Sequence, residues 1–210
     1  MVNTWGAKGV FVWDDPRHFG TAGLQARDFE LAGLGAVDRL ITSGLDPAEV
    51  TSAPWTGRAE VLDVSPSDLA DLAEEWSEPR RTPTRPPLYT ELAAAIGPMY
   101  DDPDSPPGRI RAMSEGLAPN GVVLAPPGLV GYWVARAWPT TVAGSVIVPS
   151  TTEPGLVERL AAEAVSAGRP TMLVTDRQTA IDGVEVILWD DDLAIPTTLL
   201  EVAGPLVAWT

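Results

Sequence analysis

Four short runs of unbroken aliphatic residues in the second half of this chain restrict the kind of sheet it can build. They are Gly121–Ala125 (GVVLA), Ser145–Val148, Thr171–Asp176 (TMLVTD) and Val184–Trp189 (VEVILW). A strand with one wet face alternates apolar and polar side chains, whereas a strand covered on both faces reads as a continuous apolar run. Helical patterns separate the runs at Gly128–Trp138 and at Pro154–Ala167, the second closed by Gly168. Strand, helix, strand, helix is the order of a parallel sheet with crossover helices. The spacing therefore predicts an α/β domain over 88–210, with a mostly parallel sheet flanked by helices.

Residues 1–77 read as a smaller N-terminal α+β portion. The expected elements are a strand at Gly9–Trp13 (GVFVW), a helix over Ala36–Ser43 stopped by Gly44, and a strand at Arg58–Val64 that alternates in polarity. Asp46-Pro47-Ala48-Glu49 has the form of a capping box with Pro at the first helical position. Ser65 or Ser67 caps a helix with Leu69, Leu72 and Trp76 along one face. Between the portions, 78–87 (EPRRTPTRPP) carries four prolines and Arg80, Arg81 and Arg85. It reads as a stiff connector whose arginines rest on the chain's own acidic surface. Further helices are expected at Leu88–Met99 and Ile110–Glu115, and another near Pro196.

The formal net charge is −15, with thirteen Arg and one Lys. Such a surface repels phosphate backbones and favours a basic protein partner, so no nucleic acid is expected. The longest weakly charged stretch, 116–152, is broken by Pro119, Pro126, Pro127 and Pro139 into pieces too short to span a bilayer. No apolar leader opens the sequence, and a cytoplasmic protein with no membrane contact is expected. The Arg, Ala, Gly and Pro usage fits a high-GC bacterial coding sequence.

The chain has no cysteine and a single histidine, His18. Thiol nucleophiles and Cys or multi-His metal sites are excluded, and any Ser-His-Asp arrangement must run through His18. Two carboxylate groups follow strand candidates. Trp13-Asp14-Asp15-Pro16-Arg17-His18 can raise the basicity of His18 through a neighbouring carboxylate; alternatively it is an exposed turn with His18 in solvent. Trp189-Asp190-Asp191-Asp192 can hold a divalent cation against a phosphate, or serve as a polar turn capping the next helix. Asp101–Asp104 resembles a calcium loop but lacks the later ligands of one. Pro126-Pro127-Gly128-Leu129-Val130-Gly131 has neither a dinucleotide nor a Walker fingerprint and reads as a tight turn. Arg136, alone among uncharged neighbours, requires a carboxylate or an aromatic ring.

These observations favour a non-enzymatic acidic interaction protein of adaptor, chaperone or immunity type, with no cofactor. Trp13, Asp14, Asp15, Arg17, His18, Trp189 and Asp190–Asp192 are its candidate partner- or ligand-binding residues. The alternative is a small-molecule or nucleotide-binding α/β enzyme that uses carboxylates at strand C-terminal ends.

Overall fold

The computed structural model describes residues 1–50, 59–75, 86–189 and 193–209. Along the chain run β1 (Asn3–Thr4), β2 (Thr21–Ala22), α1 (Asp28–Leu31), β3 (Arg39–Thr42), β4 (Glu60–Asp63), α2 (Pro66–Glu75), α3 (Pro87–Ile96) and α4 (Pro106–Gly116). Then follow β5 (Val122–Leu124), α5 (Leu129–Ala137), β6 (Val146–Ile147), α6 (Leu156–Ser166), β7 (Thr171–Thr175), β8 (Val184–Leu188) and α7 (Thr197–Ala203).

The main sheet is parallel throughout, in the order β6-β5-β7-β8. The chain leaves β5 through α5 to reach β6, then crosses back through α6 to β7 on the other side of β5. One face, with Val123, Ala125, Met172 and Val174, packs against Val130, Trp133 and Val134 of α5. The opposite face, with Val122, Leu124 and Leu173, packs against Val157 and Ala161 of α6. Burial on two faces explains why these strands are apolar without alternation. The α/β expectation for this portion holds, and each of its strands and helices lies where the pattern placed it. Two boundaries move: α3 ends at Ile96, where Gly97–Asp101 tightens into a 3-10 helix with Pro98 in its first turn, and α4 begins at Pro106, because the Ser105 side chain caps it by accepting from the Gly108 N–H at 3.1 Å.

The N-terminal portion differs from the sequence expectation in three places. Gly9–Trp13 is not a strand. Successive turns (Lys8 N–H to Trp5 O, Val10 N–H to Ala7 O) carry the chain through Gly9 at φ +97°. A Cβ there would press on the Val146 backbone, so tertiary approach overrides strand propensity. Second, Ala36–Ser43 is not a helix. Leu34–Ala36 is a single 3-10 turn, and Arg39–Thr42 pairs in parallel with Glu60–Asp63. The cross-strand pairs Arg39–Glu60 (2.8 Å) and Thr42–Asp63 (2.7 Å) favour the extended form there. Third, Asp46 caps only a 3-10 turn at Pro47–Glu49, because the Glu49 side chain is drawn away to Thr4 and the Gly6 N–H.

Trp5 and Leu24 enter the same apolar core as Val123 and Trp133. Residues 78–85 of the expected connector, together with Trp55, Trp76 and Asp190–Asp192, lie outside the described residues. No described helix is long and apolar enough to cross a membrane.

Candidate functional site

Two features separate this molecule from a plain α/β scaffold, and both are built where residues 1–28 pack on α5 and the segment after it. The first is a polar cluster in the interior. Arg136, in the last turn of α5, donates to both carboxylate oxygens of Asp28 at 2.7 and 2.8 Å, and to the Thr21 carbonyl and Gln25 Oε1. Asp28 also accepts the Leu24 and Gln25 N–H groups, each at 2.8 Å. The Tyr132 hydroxyl donates to Gln25 Oε1 at 2.8 Å, and the Arg136 guanidinium lies 5.6 Å from the Tyr132 ring centroid. The isolated arginine thus has both a carboxylate and an aromatic neighbour. Burial opposes its charge, but Asp28 outweighs this and holds the guanidinium firmly protonated. Burial also pushes the Asp28 carboxyl above the usual range, with Arg136 pulling against it.

Lys8 and His18 adjoin this cluster. His18 is 4% exposed, so the solvated-turn expectation is corrected. Asn3 explains the burial. Its Nδ2 donates to the Thr4 carbonyl and to Thr21 Oγ1, which leaves Oδ1 to accept from His18 Nε2 at 2.7 Å. The ring is therefore assigned as the Nε2–H tautomer. The expected rise in basicity is also corrected. Burial and the nearby Lys8 charge push His18 down to about 4. The Asp15 carboxylate is engaged by Arg17 at 2.7 Å and is held at about 2, chiefly by that side-chain hydrogen bond.

The second feature is on the surface. The Gly144 N–H donates to Gly9 O at 2.8 Å and the Trp13 N–H to Thr140 O at 2.9 Å, which straps residues 9–13 along 140–144. The strap brings Val10 (57% exposed), Trp13 (54%) and Val142 (41%) to one stretch of surface, bordered by exposed Asp14. By contrast, Trp5, Trp133, Trp138 and Trp189 are buried. Of the sequence candidates, the structure brings Trp13, Asp14, Asp15 and Arg17 onto this surface and places His18 and Trp189 in the interior. Sequence reasoning misses Val10 and Val142, because their exposure depends on where Gly9 and Gly144 meet. It misses Lys8 and Asp28 as well; only the rarity of lysine in the chain marks the first.

Crossover direction reverses between β5 and β7, the place where open α/β sheets take ligands. Here the turn after β5 begins with Pro126 and Pro127, which offer no N–H groups. Gly128 follows at φ +117°, and Gly131 approaches the Pro126 carbonyl too closely to admit a Cβ, so the tight-turn expectation holds. Beyond β6, Trp209 donates its Nε1 to Pro149 O at 3.1 Å and packs 5.3 Å from Trp5. Among the described residues, no group of three or more His, Asp or Glu side chains is placed to hold a metal ion.

No protein-family model matches the chain, and no curated protein matches it in sequence.

Proposed function

We propose that this chain is a non-enzymatic binding protein that docks a basic protein partner through the Val10–Trp13–Val142 surface. The observation that carries the reading is Trp13: a large side chain held out in solvent on a segment whose backbone is hydrogen-bonded to Thr140. Tryptophan is enriched among interface hot spots, and prior ordering of its segment lowers the entropy lost on association. An apolar patch bordered by the exposed Asp14 carboxylate is complementary to an apolar pocket with a basic group at its edge. The −15 charge then accelerates encounter.

A photo-crosslinking amino acid at position 13, expressed in the producing cell, is expected to trap a basic protein. The same group at exposed Leu200 on α7 is expected not to trap it. With that partner purified, Trp13→Ala weakens binding at least tenfold, and raising salt slows association more than it speeds dissociation. Equal trapping from positions 13 and 200, or unchanged affinity in Trp13→Ala, refutes the assignment.

A further inference from the structure

The two edges of the main sheet differ. On the β6 side the edge is covered: a Cβ built on Gly9 would lie 2.8 Å from Val146 O and 3.0 Å from Val146 N, and the Gly144 N–H donates to Gly9 O. On the other side β8 is the last strand, paired with β7 from Thr171–Val184 to Thr175–Leu188. The Trp189 N–H donates to Thr175 O at 2.7 Å. Backbone groups alternate in direction along a strand, so Glu185 and Ile187 also turn theirs toward β7, while Val186 and Leu188 turn theirs outward. No backbone group among the described residues meets Val186 or Leu188 on that outer side. Leu188 is 48% exposed, and Glu185 lies in solvent. A five-residue strand with no proline and an unbroken register is the kind of edge that accepts another strand.

The side chains define what fits. Val184, Val186 and Leu188 share the α6 face, and Glu185 stands with Ile187 on the α5 face. Asp182 precedes the strand in solvent, and Asp176 follows β7, 3.9 Å from Arg177. Asp176, Asp182 and Glu185 thus set three carboxylates against one arginine. A second copy of the chain would bring Glu185 and a net charge of −15 against their like, whereas a basic strand meets the opposite sign. We propose that the open edge of β8 binds an extended basic segment of a partner protein by strand addition. The backbone of that segment pairs with Val186 and Leu188, a lysine or arginine meets Glu185, and apolar side chains cover Val184, Val186 and Leu188. This surface lies across the sheet from the Val10–Trp13–Val142 strap and does not rest on it.

Amide hydrogen exchange on the full chain tests this with an end-blocked peptide, Thr-Val-Lys-Val-Lys-Val-Thr, and its counterpart with glutamate in place of lysine. Without peptide, the Val186 and Leu188 amides should exchange faster than those of Glu185 and Ile187. At about 1 mM the lysine peptide should slow Val186 and Leu188 roughly tenfold, which corresponds to a Kd of about 0.1 mM, and the glutamate peptide should not. Glu185→Lys, a change at a solvent-exposed side chain, should reverse that preference. Unslowed Val186 and Leu188 amides with the lysine peptide, equal slowing by both peptides, or an unchanged preference in Glu185→Lys overturns the proposal. So does slowing that grows with protein concentration alone, which would make a second copy the occupant.

Discussion

Lys8→Met is the perturbation that most sharply tests the account of the interior. Methionine keeps an unbranched, apolar stem of similar length and removes the amine. In the folded chain that amine sits at about 7, against 10.5 for an ordinary lysine. The unfolded chain therefore binds the proton more tightly, and stability must rise with pH between those two values, at up to about 1.4 kcal/mol per pH unit. Worked through both equilibria, the wild-type gain is about 2 kcal/mol from pH 7 to pH 9 and about 4 kcal/mol across the whole window. An opposing effect sets in from about pH 9, as the unfolded chain's tyrosines begin to ionise. Burial pushes the Tyr100 and Tyr132 hydroxyls up to about 12, so the unfolded chain loses those protons first and stability falls. Wild-type stability is expected to peak at a pH between about 9 and 10. Urea unfolding at pH 7, 8 and 9 reads the rising limb. Lys8→Met should lose most of this rise, keeping only the smaller slope of the partly buried Met1 amine, which burial lowers from 8.0, and at pH 7 should be more stable than wild type by about 3 to 4 kcal/mol. A wild type that is level from pH 7 to 9, or a variant less stable at pH 7, would show that the amine is well solvated or paired and refute the burial account.

Asp28→Asn keeps the shape of the side chain but leaves the buried Arg136 charge without its partner; chemical denaturation should show a loss of about 3–5 kcal/mol. His18 works on the acid side. Its folded value of about 4 lies below the ordinary 6.5, so the stability it contributes is complete above pH 6.5 and lost as pH falls to 4, by up to about 3 kcal/mol. His18→Gln should shed that slope, measured by thermal melts from pH 7 to pH 4.

The parallel sheet is legible in the sequence because two-sided burial leaves a local signature: Val122 and Leu124 face α6 while Val123 and Ala125 face the α5 side, so all four must be apolar. The N-terminal portion is not, because its conformation is set at a distance. Gly9 takes its backbone angle from a meeting with Val146, and Arg39–Thr42 becomes a strand through Glu60–Asp63. His18 is buried by Asn3, fifteen residues earlier, and the partner Arg136 requires lies 108 residues away at Asp28. Sequence can state that the arginine needs a carboxylate but not which one. Trp13 stands out in the sequence for its apparent strand-end position; its actual setting is a strap, and Val10 and Val142 come with it only in the folded chain.

Residues 24–27 make bonds across the chain to residues 202–207. Gln25 donates to the Gly204 carbonyl, Arg27 to the Val202 carbonyl, and the Ala26 and Val207 N–H groups pair with Pro205 and Leu24. During synthesis, this early segment waits for more than 170 further residues before its own polar groups can be satisfied. The sheet can condense first, since β5 to β8 are close in sequence; residues 24–27 can lock only afterwards. Translation order thus lets the Asp28–Arg136 pair form before the bonds that tie residues 24–27 to 202–207. A chain cut before residue 199 would keep Asp28 on Arg136 but would leave Gln25 Nε2 and one Arg27 nitrogen without the carbonyls that accept from them.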